Sequence, residues 1–138
     1  MRRFVVINGV IPILLGVIIY YLIAPETIFS KTIDGVLKLN IHIEKEYMDG
    51  CVFRFIRCYG LDMIWGYSFT IFVSIVVKNL NITFIIAALF SVLIETLQLC
   101  VLPGVFDPLD ILFQVVAVVC AIIMIRRQSN EKHDKKTC

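Results

Sequence analysis

Residues 82–125 read ITFIIAALFSVLIETLQLCVLPGVFDPLDILFQVVAVVCAIIMI. Two apolar runs, Ile82 to Leu102 and Leu109 to Ile125, are separated only by Pro103 to Pro108. Each run falls within the roughly 17 to 25 residues needed to cross hydrocarbon about 30 Å thick, so the stretch predicts a hairpin of two membrane spans. Glu95, Gln98, Asp107, Asp110 and Gln114 interrupt the oil. An ionisable group at the centre of a span costs roughly 2.5 to 3.5 kcal/mol on insertion scales, and such groups persist where they have a partner or a task.

Working outward, two further spans are expected at Phe4 to Ile23 and Leu61 to Val77. With 59% apolar and 17% charged residues and a mean hydropathy of +0.90, the chain lacks the polar surface of a water-soluble domain. The expected fold is an all-α membrane protein: a bundle of four transmembrane helices in one domain, residues 1–128, with one extracytoplasmic loop at 25–60 between the first two. A polar cytoplasmic tail is expected at 129–138. Arg2 and Arg3 before an apolar core imitate a signal peptide, but that core exceeds the usual ~7 to 15 residues, and Pro25 follows Ala24 without a small-x-small cleavage site. A retained first helix is expected.

Basic residues set the orientation. Eight of the thirteen Lys and Arg (Arg2, Arg3, Lys78, Arg126, Arg127, Lys132, Lys135, Lys136) share one side with both termini, and the other five are spread over the long loop. Positive residues concentrate on the cytoplasmic side near span ends, so both termini are expected inside, with Asp62, Glu95, Asp107 and Asp110 toward the outer face. The basic tail suits anionic inner-leaflet lipid at about 1 kcal/mol per residue, and nothing points to nucleic acid. Of the cysteines, Cys51 and Cys58 are candidates for a pair, Cys100 and Cys120 for burial as small apolar residues, and Cys138 ends the tail. No metal-ligand spacing of Cys and His occurs.

In the loop, Leu37, Leu39, Ile41 and Ile43 alternate with Lys38, Asn40, His42 and Glu44, a period of two that predicts an extended strip. His42 is expected to be solvated. Beyond it, Val52, Phe53, Phe55 and Ile56 interleave with Arg54 and Arg57, which suits an interfacial segment or a lead-in to the second span.

Helical spacing groups the polar and small residues. Ala88, Ser91, Glu95 and Gln98 share a face of the third span, and Asp110, Gln114, Ala117 and Ala121 share one of the fourth. In lipid, helices associate through such faces, so the two are expected to meet, with Glu95 roughly level with Gln114. Asp62, Gly66, Thr70 and Ser74 form a matching face on the second span. Trp65, Tyr67, Tyr20 and Tyr21 fit headgroup anchors. Asp107 before Pro108 reads as an N-cap, with Asp110 placed to suit the helix dipole. Glu95 lies too deep for capping, which leaves either a buried structural carboxyl or a site. Asp62, Glu95, Gln98, Asp107 and Asp110 together could line an outward pocket.

These residues resemble the signature of the VanZ-like family, small bacterial membrane proteins, in Glu95-Thr96-Leu97-Gln98, Pro103-Gly104, Asp107, Asp110 and an amide at Gln114. The family's usual form is E-x-x-Q, a short loop ending in Arg, then Phe and D-x-x-x-N. Here Val105 stands at the arginine, Gln114 at the asparagine, and Gly66 where many members have histidine. Asp62 opening an aromatic-rich span and the Ile19-Tyr20-Tyr21-Leu22 end of the first helix agree with the family as well. The resemblance implies a protein of the bacterial cytoplasmic membrane, in a family named for a member associated with teicoplanin resistance. Beside it, the outward acidic patch suggests an envelope protein that modifies how glycopeptides or lipid-linked molecules, cell-wall precursors among them, engage the outer leaflet, with membrane lipid as partner and no cofactor expected. Two other readings stand beside it. One is a membrane enzyme acting on a phospholipid or polyprenyl-phosphate, with Glu95 as acid or base and Asp107 or Asp110 on a divalent ion. The other is a structural subunit whose polar residues cement packing.

Overall fold

The computed structural model describes residues 2–23, 28–38, 41, 50–100 and 107–137, and within those ranges the side chains of Arg2, Ile28, Arg57, residues 98–100 and residues 131–137 are excepted. Among the described residues the chain is helical with no strand. Helix α1 comprises Arg2–Val5, a π turn at Val6–Val10, and Ile11–Ile23. A short helix, α2, spans Ile28–Leu37. Helix α3 runs through Cys51–Phe55, a second π turn at Ile56–Gly60, and Leu61–Val76. Then come α4, Leu80–Cys100, and α5, Pro108–Thr137. Four of these are long and apolar enough to cross a membrane, over Arg3–Ile23, Cys51–Val76, Leu80–Leu97 and Pro108–Asn130. The chain is a multi-pass membrane protein by this measure.

The distribution of side chains follows from the solvent. Lipid is as apolar as leucine, so helices associate through small and polar residues while bulky aliphatics face the acyl chains. Accordingly the interior holds Ser68, Thr70, Thr83, Ser91, Glu95 and Gln114 beside Ile71, Ala87, Ala117, Val118 and Ala121, whereas Leu14, Leu89 and Leu112 are exposed. Thr70 and Ser91 donate their hydroxyls to the carbonyls of Gly66 (2.8 Å) and Ala87 (3.1 Å) one turn back, so neither needs a partner on another helix.

Helix α3 occupies the centre, touching α1, α4 and α5, and its broadest contact is with α5. Glycines permit the close approaches. A Cβ at Gly16 would stand 3.1 Å from Ile64 Cγ2, and one at Gly9 3.3 Å from the Phe72 ring. Tyr67 donates to Asn8 Oδ1 at 3.1 Å beside the π turn of α1, tying that turn to α3. The expected meeting of the α4 and α5 faces is observed, with Ala87 rather than Ala88 fully buried.

Three expectations are corrected. The extended strip does not begin at Leu37, which instead closes α2; Leu39, Asn40 and residues 42–49, His42 among them, lie outside the described residues. Phe29, Ile33, Val36 and Leu37 recur at helical spacing, and that pattern wins over the period-two run. Lys38 ends the helix at φ 51°, donating its N–H to the Asp34 carbonyl at 2.9 Å, a left-handed cap ordinarily filled by glycine. Second, the span expected from Leu61 begins ten residues earlier, because Val52 to Arg57 continue as helix into α3. Third, Cys51 and Cys58 are both free, and seven residues of one helix separate them by about 10 Å along its axis, beyond disulfide reach. Cys120 is free and exposed on the outside of α5 rather than buried. Helix α5 runs on to Thr137, through the stretch expected as a polar tail.

The connections are built from local hydrogen bonds. Between α3 and α4, Asn79 Oδ1 accepts the N–H groups of Asn81 (3.0 Å) and Ile82 (3.4 Å) as an N-cap, and buried Thr83 donates to the carbonyls of Val77 and Asn79, both at 3.1 Å. At the other end of the bundle the Tyr21 hydroxyl donates to Asp34, fixing α2 against the end of α1.

Candidate functional site

The carboxyls gather at the end of the bundle where α3 and α5 begin their main spans and α4 ends. Asp107 caps α5 as expected: its Oδ1 accepts the Leu109 N–H at 2.9 Å, and its carbonyl accepts the Asp110 N–H at 3.0 Å. Asp110, in the first turn of α5, is half-buried, and its Oδ1 is buried without a hydrogen-bond partner. Asp62, in the first turn of the α-helical body of α3, is half-buried too. Glu95 on α4 is 1% exposed, and its Oε2 has no hydrogen-bond partner. Asp110 lies within electrostatic reach of both Asp62 and Glu95, and the backbone of Asp107 approaches the Glu95 carboxyl.

Of the expected site residues, the structure therefore brings together Asp62, Glu95, Asp107 and Asp110 from three helices. Gln114 belongs with them on α5, 7% exposed, its backbone pressed against Gly66. Gln98 stands one turn beyond Glu95 on α4, and its side chain lies outside the described residues. Among the described side chains no lysine or arginine pairs with these acids. No group of three or more His, Cys, Asp or Glu among the described residues could hold a metal ion, so the divalent-ion version of the enzyme reading finds no ligand set there.

Sequence reasoning missed the aromatic half of the site. A cavity of about 420 Å³ opens between α3, α4 and α5, lined by Asp62, Gly66, Ser91 and Gln114 on its polar side and by Trp65, Phe69, Phe90 and Ile94 on the other. Phe69 and Phe90 stack with ring centroids 4.2 Å apart. Trp65, expected only as an anchor, is 48% exposed at the mouth, and Phe90 is 39% exposed beside it. Both belong to helices long and apolar enough to cross a membrane. A second aromatic group sits over the start of α5: Phe113 packs against Tyr59 at 4.6 Å and edge-on to Phe55 at 5.4 Å. Tyr59 lies within electrostatic reach of Asp107 and Asp110. The four-residue interval from Phe55 to Tyr59 was the available signal, because it places both rings on one face once α3 is known to start at Cys51.

Chemically, the arrangement presents hydrogen-bond acceptors and an amide beside an aromatic wall. It can hold the polar end of a molecule whose remainder is hydrocarbon. No family model, curated protein or solved structure matches the chain.

Proposed function

We propose that the chain is a VanZ-like protein of the bacterial cytoplasmic membrane, with both termini inside and the acid-lined site toward the outer leaflet. There it alters how glycopeptide antibiotics or lipid-linked molecules engage that leaflet. The observation that carries this reading is Glu95: a carboxyl 1% exposed, with one oxygen unpartnered, held within a span beside Asp110. A group that costs so much to place in a bilayer and caps no helix is better explained by a task than by packing.

The test is expression in a glycopeptide-sensitive Gram-positive host. The expected result is a raised inhibitory concentration for teicoplanin, abolished by Glu95→Gln at equal membrane abundance. An unchanged inhibitory concentration for every lipoglycopeptide tried, with the protein demonstrably in the membrane, refutes the reading. Orientation is checked separately by single-cysteine labelling at Asp107 with a membrane-impermeant maleimide in a cysteine-free background; labelling only after lysis contradicts termini-in topology.

A further inference from the structure

The cavity between α3, α4 and α5 has a shape and a polarity gradient that specify what fits it. Asp62 marks one end, Gly66 and the Gln114 that packs on it come one turn deeper, and the stacked Phe69 and Phe90 lie two turns from Asp62, about 10 Å down the axis of α3. The polar end is unsatisfied. Gln114 is 93% buried by its 7% exposure, lines the cavity, and its side-chain amide makes no hydrogen bond among the described residues. Buried amides are ordinarily paired, and here the cavity is where a partner for this one can enter. Ser91, also in the wall, spends its hydroxyl proton on the Ala87 carbonyl and so offers only its oxygen lone pairs inward. Among the described residues the cavity's polar side offers acceptors from Asp62, Ser91 and Gln114, the Gln114 amide also carrying N–H donors, and no lysine or arginine lines it.

We infer that this cavity binds a bilayer-resident amphiphile with an amine head: the amine donates to Asp62 and the Gln114 amide oxygen, and the hydrocarbon chain leaves between Trp65 and Phe90. A phosphate or carboxylate head is disfavoured, since the described lining supplies an acid and no cation to meet it. Trp65 and Phe90, the partly exposed rings of the lining, border the path of that chain. This inference rests on the proposed membrane-leaflet role and names the ligand class for the same site.

Trp65 is the single tryptophan of the chain, so all tryptophan emission arises in the cavity wall; because Trp65 also borders a second cavity with Val17, Tyr20 and Phe29, the Asp62 and Gln114 variants assign the quenching to the first. Protein reconstituted in phosphatidylcholine nanodiscs is titrated with tetradecylamine brominated along its chain, a short-range quencher. The expected result is saturable quenching, competed by unlabelled tetradecylamine and competed about tenfold less well by myristate or tetradecyl phosphate. Asp62→Asn and Gln114→Leu each weaken the amine about fivefold or more, read as the mole fraction at half-maximal quenching. Ser91→Leu, which fills the cavity, abolishes the saturable component; circular dichroism and size-exclusion profiles establish that each variant is folded. Quenching that rises linearly with mole fraction, or that is equal for amine, carboxylate and phosphate heads, overturns the inference. Antibiotic susceptibility is measured independently, so saturable amine binding without a susceptibility change would sink only the proposed function. A susceptibility change with purely linear quenching would sink only the ligand class.

Discussion

Gly66 on α3 lies against the backbone of Gln114 on α5: a Cβ added to the glycine would meet the Gln114 carbonyl oxygen at 3.4 Å and its Cα at 3.6 Å. These are ordinary contact distances, so one methyl fits and anything larger must part the helices. Gly66→Ala is expected to change stability in detergent by less than about 0.5 kcal/mol, whereas Gly66→Leu loses about 1 to 3 kcal/mol and widens or closes the cavity beside it. Thermal unfolding followed by size-exclusion recovery checks both. Equal losses for the two variants would show that the helices are not in contact here.

The corresponding approach of α1 to α3 is tighter. At 3.1 Å from Ile64 Cγ2, a methyl on Gly16 requires that side chain to yield. Gly16→Ala is expected to cost about 1 kcal/mol, and Ile64→Ala in the same chain should return most of the difference in a double-mutant cycle. Additive losses would place the two residues out of contact.

Glu95 occupies space inside the bundle without full hydrogen bonding, so stability and task pull in opposite directions there. Replacing a buried ionisable group with an apolar one of similar volume is often neutral or stabilising. Glu95→Leu is expected to match or exceed the parent in thermal stability while losing the susceptibility phenotype, and Glu95→Gln should fold like the parent and lose it too. Unfolding of both variants would instead assign the carboxyl to packing.

Asp107 has a measurable structural duty. Asp107→Ala removes the acceptor of the Leu109 N–H and is expected to cost about 1 kcal/mol, with Asp107→Asn or Asp107→Ser recovering most of it. If the charge itself mattered more than the cap, Asn and Ser would fall as far as Ala.

At the end of α2, Lys38 holds a left-handed conformation at φ 51°. Lys38→Gly removes a penalty of roughly 1 to 2 kcal/mol for a side chain in that region, so it is expected to stabilise the cap, read as slower amide exchange at Lys38 and Leu37. Faster exchange would mean that the lysine side chain itself secures the turn.

The spans were legible because runs of oil broken by Pro103, Gly104 and Pro108 have few other readings. So were the seams, since Ser91, Glu95, Gln114, Ala117 and Ala121 are the residues that oil-facing positions would not tolerate or would not need. What sequence could not order was everything among the bulky apolar letters, where a leucine facing lipid and an isoleucine packed on a neighbour look the same. Hence the central position of α3 and the aromatic wall of Trp65, Phe69 and Phe90 went unforeseen, as did α2, whose Leu37 fits a helical stripe and an alternating strip equally well.

Helix α5 has thirty residues and, after Pro108, neither glycine nor proline. At about 1.5 Å per residue it measures roughly 45 Å, half as long again as the hydrocarbon it crosses. A rod without a hinge pivots as one piece: when a thicker or thinner bilayer changes its lean, the arc swept near Arg126 and Arg127 is answered by an arc at Asp110 and Gln114. What moves Arg126 and Arg127 at one end of that rod is therefore felt at Gln114, in the cavity wall, toward the other.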